Sequence, residues 1–262
     1  SDVDSLASSA NGCAAIVVCP PPLGFETNGE TERRLAYNVV EAARRSGIER
    51  LCYVSSSVVD PQYARFAPVK ALLEAEQLIR ESGVPWTILR PSWFMEALPR
   101  FVHNKKAHVF GKFRHPWHWV AASDFGRIAL AALDSPKAIG KSFTVLGPRG
   151  YTLPEALERY RLAYDPEIDV QVIPMWKVRL LATVARKPAI KQVIPLMRFL
   201  ASTPETGSAV ETNELLGAAN TTLAEWAEME LERRRTPIEE PSEETRTENA
   251  ELEMETGEPS EE

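Results

Sequence analysis

RLCYVSSSVVD at residues 50–60, APVKALLEAEQLIRESG at 67–83 and VPWTILRPSWFMEAL at 84–98 read, in that order, as strand, loop, helix, strand and loop. Leu51 to Val54 is a short apolar run of β-preferring residues. It stops at Ser55, Ser56 and Ser57, whose hydroxyls can bond back to their own main chain. Lys70 to Arg80 sets Leu72, Leu73, Glu74, Glu76, Leu78 and Ile79 on a helical period, and Gly83 ends it as a C-cap glycine. Trp86 to Leu89 is a second buried-type strand, closed by Pro91. A helix between two such strands makes a right-handed parallel crossover. Ligands of parallel sheets bind beyond the carboxyl ends of the strands. The expected working surface is therefore Ser55-Ser56-Ser57 with Arg90-Pro91-Ser92-Trp93-Phe94.

The alternation extends outward from this core. Upstream, Ala14 to Cys19 is a compact apolar strand, broken by Pro20-Pro21-Pro22, of the kind covered on both faces. After a loop at Phe25–Glu30 comes a helix from Thr31 to Ser46, with Leu35, Val39, Val40 and Ala43 inside and Glu32, Arg33, Arg34 and Glu41 facing water. Ser1-Asp2-Val3 reads as a strand end, and Asp4 to Ala10 as a short helix stopped by Asn11-Gly12. Downstream, NKKAHVFGKFRHPWHWVAAS at 104–123 reads as an aromatic loop region, with three of the four histidines inside it and His103 at its border. Ser123-Asp124 is the expected cap of a helix reaching Leu133, and Ser142 to Leu146 a further strand. Thr152-Leu153-Pro154-Glu155 has the form of a capping box with proline in the first turn. Asp169–Ile173 alternates as a strand, Trp176–Leu200 reads as two helices joined near Lys187-Pro188, Glu205–Leu216 is less regular, and Thr221-Thr222 caps a last helix to Arg235. This is an α/β pattern.

The formal charge of −7 is unevenly spread: from Thr236 onward the chain carries eleven Glu against Arg246 alone, so the body is close to neutral. That body offers no broad basic face for nucleic acid. The tail, rich in Glu and poor in bulky apolar residues, is expected to be disordered. No apolar run approaches the roughly 18–20 residues of a membrane span, and no signal-peptide pattern opens the sequence. Cys13, Cys19 and Cys52 have no zinc spacing and read as reduced thiols of a cytoplasmic protein. His115-Pro116-Trp117-His118 lacks an acidic or cysteine partner nearby and reads as aromatic packing or a substrate-facing loop rather than a metal pair.

VVEAARRSGIERLCYVSSS at 39–57, LLEAEQLIRESGVPWTILRPSWFMEAL at 72–98, SDFGRIALAALDS at 123–135 and KSFTVLGP at 141–148, in that order, resemble the atypical short-chain dehydrogenase/reductases, in particular the NmrA-like NAD(P)-binding proteins. The resemblance covers roughly residues 1–235. It implies an incomplete doubly wound, Rossmann-like parallel sheet. The partial NAD(P)-binding domain runs over 1–147, a mostly helical substrate or lid segment over 148–235, and the tail over 236–262. It also implies a reductase acting with NADP or NAD on a small quinone or carbonyl substrate.

In that family the first strand ends in a glycine-rich phosphate turn. This sequence has no GxxGxxG or GxGxxG, and Asp2-Val3 aligns with the adenine-contacting position after the third strand. The resemblance thus implies that the first strands lie outside the sequence, which leaves strand 14–19 with a bare edge for self-association. It assigns Cys19 and Pro20 to the adenosine ribose, Pro91, Ser92, Trp93 and Phe94 to the cofactor and substrate mouth, and Ser55 or Ser56 with Lys70 to catalysis and the ribose. Typical members add a tyrosine in Tyr-x-x-x-Lys. Here Phe66 stands four before Lys70, Tyr63 is seven before it, and Leu72 is an alternative match to the lysine position. A non-catalytic dinucleotide sensor or scaffold, or an inactive remnant, is the rival reading.

Overall fold

Strand and helix alternate through the first half of the chain as the periodicity requires. The computed structural model describes residues 2–20, 29–184 and 188–235. In chain order its elements begin α1 (Val3–Ala10), β1 (Ala15–Val18), α2 (Gly29–Arg45), β2 (Arg50–Val54), α3 (Ala67–Arg80) and β3 (Trp86–Pro91). They continue with β4 (Val102–His103), β5 (Lys106–Phe110), β6 (Trp117–His118), α4 (Ala122–Asp134), β7 (Lys141–Val145) and β8 (Gly150–Tyr151). Then follow α5 (Leu153–Tyr164), β9 (Asp169–Ile173), α6 (Met175–Val184), α7 (Pro188–Ser202), α8 (Val210–Leu215) and α9 (Leu223–Arg235).

The main sheet has the order β1-β2-β3-β7, parallel throughout, with Val18 beside Tyr53, Val54 beside Leu89 and Pro91 beside Val145. Side chains of a strand alternate between faces. On β2, Leu51 and Tyr53 join Val39, Val40, Ala43, Ala75 and Ile79 from α2 and α3, whereas Cys52 and Val54 join Phe125, Ile128 and Ala129 from α4. Ile88 and Leu89 of β3 divide the same way. Both faces are covered, so the strands are continuous apolar runs. The chain is an α/β protein of the doubly wound kind. Emptying a site such as fully buried Ile88 costs on the order of 2–5 kcal/mol.

Several local readings are corrected. Asp2 has extended backbone but serves as N-cap of α1, its Oδ1 accepting from the Ser5 N–H at 2.8 Å, and Val3 is already helical. Glu32 does not face water: it is buried and accepts the hydroxyl of fully buried Tyr53, because an enclosed phenol requires an acceptor. The C-cap of α3 is Glu81, with Gly83 two residues further at φ +73°. Asp124 does not cap α4; Glu96 does so from outside the helix, accepting the Ala122 N–H at 3.0 Å, while Asp124 accepts from Arg127 and from Thr221 N–H. At the other end of α4, Arg50 donates to the carbonyls of Ala132 (2.6 Å) and Ser135, where a cation is favoured.

The stretch expected as a long aromatic loop contains strands. Ala107 and Val109 are buried while Lys106 and His108 are exposed, a two-residue alternation that seats β5 between antiparallel β4 and parallel β9. β6 pairs antiparallel with β8. The capping boxes of Thr152 with Glu155 and Thr222 with Glu225 are formed, and strand Asp169–Ile173 is present as expected. α5 and α9 pack through Tyr160, Trp226 and Ala227. The expectations for the acidic tail 236–262, for the prolines at 21–22, for the loop over 25–28 and for Lys187 at the junction near Lys187-Pro188 lie outside the described residues. Among the described residues no helix is long and apolar enough to cross a membrane, and no group of three or more His, Cys, Asp or Glu could hold a metal ion.

Candidate functional site at the carboxyl ends of the strands

The β2–β3 ladder continues past β2: Ser55 N–H donates to the Leu89 carbonyl at 2.7 Å and Ser57 N–H to that of Pro91 at 2.9 Å. Ser92 N–H in turn donates to Val145 at 2.9 Å, so the ends of β2, β3 and β7 lie side by side. Ser57 is fully buried and its hydroxyl has no hydrogen-bond partner among the described residues. A buried unpartnered hydroxyl is costly and calls for an explanation. Ser55 does not bond its own main chain: its Oγ donates to Oε1 of Glu76 at 2.7 Å. Glu76, with a side chain 0% exposed, also accepts from Arg90 (Nε to Oε1, 2.8 Å) and from Arg80 (2.6 Å). Burial pushes this carboxyl up, but Arg90, Ser55 and Arg80 outweigh it and hold it below the usual range.

A strap from the C-terminal half crosses these strand ends. Thr206 donates twice to the Ser57 carbonyl, from its N–H at 2.8 Å and its hydroxyl at 2.6 Å. Glu205 accepts the hydroxyl of Ser92, the backbone N–H of His118 at 3.0 Å and the His118 Nδ1 at 2.7 Å. Gly207, at φ +88°, lies so close to β7 that a β-carbon there would stand 2.3 Å from Thr144 Oγ1. Thr212 of α8 donates to the Thr144 carbonyl at 2.6 Å, which covers the β7 edge of the sheet. Behind the strap the Trp93 ring packs on Trp119 (5.3 Å), Trp117 (5.6 Å) and Phe101 (6.0 Å), and Phe94 meets Phe125 edge-on at 5.2 Å.

Ser55, Ser56, Pro91, Ser92, Trp93 and Phe94 thus share one end of neighbouring strands. Cys19 and Pro20 follow β1 at the same end, since Val18 pairs with Tyr53. Lys70 lies apart, on the outer side of α3 with 62% of its side chain exposed and Nζ 3.8 Å from Glu74. Leu72, the alternative in that register, is buried. Phe66 stacks on Phe199 at 4.2 Å, and Tyr63 meets the same ring edge-on. Asp2 and Val3 open α1. Arg90 stands in the expected working surface, whereas sequence reasoning did not single out Glu76 or Glu205 as site groups. A carboxylate on the inner stripe of α3 beside Leu72 and Ile79 is a signal for the first, whereas nothing local marks Glu205.

Residues 1–136 match the model of a family described as NAD(P)H-binding. Over 120 residues the chain is 29% identical to (4-alkanoyl-5-oxo-2,5-dihydrofuran-3-yl)methyl phosphate reductase of Streptomyces griseus, an alignment covering 45% of this chain and 43% of the relative. The match therefore spans less than half the length of that relative. In fold, the chain is similar to a nucleoside-diphosphate-sugar epimerase from Staphylococcus aureus (TM-score 0.67, 17% identity, 86% of this chain and 80% of the other). It is also similar to Citrobacter sp. triphenylmethane reductase complexed with NADP(H) (TM-score 0.66, 16% identity, 88% and 80%). With the family model covering β1 to α4, more than half of the chain, the chain belongs to the NAD(P)H-binding family.

Proposed function

We propose that the protein works as an NAD(P)H-dependent oxidoreductase that reduces a small quinone or carbonyl compound at the carboxyl ends of β2 and β3. The supporting observation is the coincidence of the family match over residues 1–136 with a sheet end carrying a buried, unpartnered Ser57 hydroxyl. Crevices at this end of open parallel sheets are where such ligands bind. Serine hydroxyls beside the Trp93 and Phe94 rings fit the ribose and nicotinamide end of a dinucleotide. A glycine-rich turn is not among the residues, and none of them is assigned to the pyrophosphate.

A bound reduced nicotinamide supplies hydride. The chain's own part is to orient the reactants and exclude water: Ser56 and Ser57 at the ribose, Pro91 to Phe94 as the wall, and the Glu205–Gly207 strap as the cover. Cys19 and Pro20 lie in line with the adenosine side. Ser55 is bound to Glu76 and acts by fixing the end of β2.

The test is calorimetric titration of the full chain with NADPH and NADH, followed by turnover with a panel of quinones and aldehydes. Saturable binding with substrate-dependent oxidation is expected. Absence of binding overturns the proposal. Binding without turnover supports a dinucleotide sensor instead, the reading favoured by Phe66, which stacks on Phe199 and has no hydroxyl to donate.

A further inference from the structure

A reduction at this site lacks its usual proton donor, since Phe66 stands at the tyrosine position. Ser55 is engaged with a Glu76 held ionised, and Lys70 is exposed beside Glu74. Glu205 is an acceptor for three donors. We propose that His118 is the general acid of the reaction and that Glu205, with Ser92 behind it, is its positioning residue. This inference rests on the oxidoreductase reading above.

The geometry fixes the imidazole at one nitrogen and leaves the other to act. The Glu205 side chain is 9% exposed and grips His118 at two points, its backbone N–H and Nδ1. The carboxylate accepts only, so Nδ1 carries the proton. Ser92 at the end of β3 donates to the same carboxylate and ties it to the sheet. From the far side the Gly147 N–H donates to the His118 carbonyl at 3.2 Å. A β-carbon on Gly147 would lie 1.8 Å from the Trp119 carbonyl oxygen, so the chain approaches there as only glycine allows.

Nε2 has no hydrogen-bond partner among the described residues, and the side chain is 38% exposed. Gly150 of β8 flanks the ring and carries no charge, while Arg149 before it is turned over the Tyr151 ring at 5.4 Å. Among the described residues, Glu205 is the charged group paired with the imidazole. An acid oriented by a carboxylate at its other nitrogen is the arrangement that general acid–base chemistry uses at neutral pH.

In the step, the carbonyl carbon takes a hydride, with its electron pair, from the C4–H bond of a dihydronicotinamide. The C=O π pair moves to oxygen. That oxygen takes the Nε2 proton of the doubly protonated ring as the Nε2–H bond breaks; Nδ1 keeps its own proton toward Glu205, and the neutral imidazole that is left regains a proton at Nε2 from solvent. The products are the alcohol and NAD(P)+.

The proposal is tested on the full chain with His118→Gln, Glu205→Gln and Ser92→Ala, each checked for its melting temperature and for NADPH affinity. His118→Gln is expected to lower turnover on the order of 10²–10⁴-fold, to keep NADPH affinity within about twofold, and to abolish the fall in rate toward alkaline pH. Glu205→Gln is expected to lose on the order of 10²–10⁴-fold, and Ser92→Ala less, both retaining that alkaline fall. Nitrogen NMR of the imidazole without cofactor should show the Nδ1–H tautomer in the neutral ring. An Nε2–H tautomer, or a His118→Gln protein that turns over within threefold of wild type with the same pH profile, overturns the assignment. Should His118→Gln not fold, the tautomer and the Ser92→Ala profile carry the decision. Loss of NADPH binding by wild type sinks the oxidoreductase reading itself, separately from the role of His118.

Discussion

Glu76 of α3, with no exposed side-chain surface, meets Arg90 of β3 through two hydrogen bonds, Oε1 to Nε at 2.8 Å and Oε2 to Nη2 at 2.5 Å. The pair locks the helix of the central crossover to the strand it leads into, and Ser55 and Arg80 complete it. Removing the carboxylate strands two guanidinium groups that are 24% and 31% exposed. Glu76→Ala is expected to cost about 3 kcal/mol by urea denaturation at pH 7, the low end for a broken buried pair because both arginines retain some water. The folded carboxyl lies below its ordinary value of about 4.3. Its stabilisation is therefore complete above that pH and is lost as pH falls through the lower folded value. Wild type should lose stability faster than Glu76→Ala between pH 5 and about 2; parallel losses would remove this linkage.

Gly207→Ala should loosen the strap. The substitution combines a backbone at φ +88° with a β-carbon 2.3 Å from Thr144 Oγ1. A loss of about 1–3 kcal/mol is expected, with faster amide exchange at Thr206, whose N–H is held by Ser57. Unchanged exchange at that amide would show that the strap tolerates the added atom.

The cysteines should separate by reactivity. Cys13 and Cys19 are exposed, whereas Cys52 is fully buried on β2, and burial, with Cys19 nearby, pushes its thiol up to about 12. At pH 8 about one part in ten thousand of it is thiolate. Two thiols that react in the folded protein, Cys19 the slower because partial burial pushes its thiol up, and one that reacts only on unfolding are expected in a chromogenic disulfide assay. Three rapid thiols would contradict the packing of β2.

Among the described residues β1 has a strand partner on one side only, and its Val17 is 42% exposed. An open edge is a template for pairing. The full chain is expected to self-associate with increasing concentration in sedimentation velocity, and Val17→Lys to reduce this. A monomer over the whole micromolar range would remove the edge as a contact.

The central crossover was legible because its signals are local. Leu51–Val54 and Trp86–Leu89 are apolar on both faces, and Leu72, Ala75, Glu76 and Ile79 keep one helical face. The second sheet was hidden because β5 buries only Ala107 and Val109, small residues inside a stretch dominated by aromatic, basic and glycine signals. The serines and Pro91–Phe94 could be placed at one edge from strand ends alone. Glu205 could not: its meaning comes from Ser92 and His118, 113 and 87 positions away, and no local pattern carries separations of that length.

The crossing of the strand ends by Glu205 and Thr206 also sets a timetable for synthesis. β7 is finished at Val145, roughly sixty residues before Glu205 is added. A ribosome adding about 5–20 residues per second therefore leaves that end uncovered for about 3–12 s. Through that interval the nascent sheet has the Ser92 hydroxyl and the Ser57 carbonyl without the groups that later satisfy them. A message cut short ahead of Thr203 would yield β1, β2, β3 and β7 and still leave their business end unsealed.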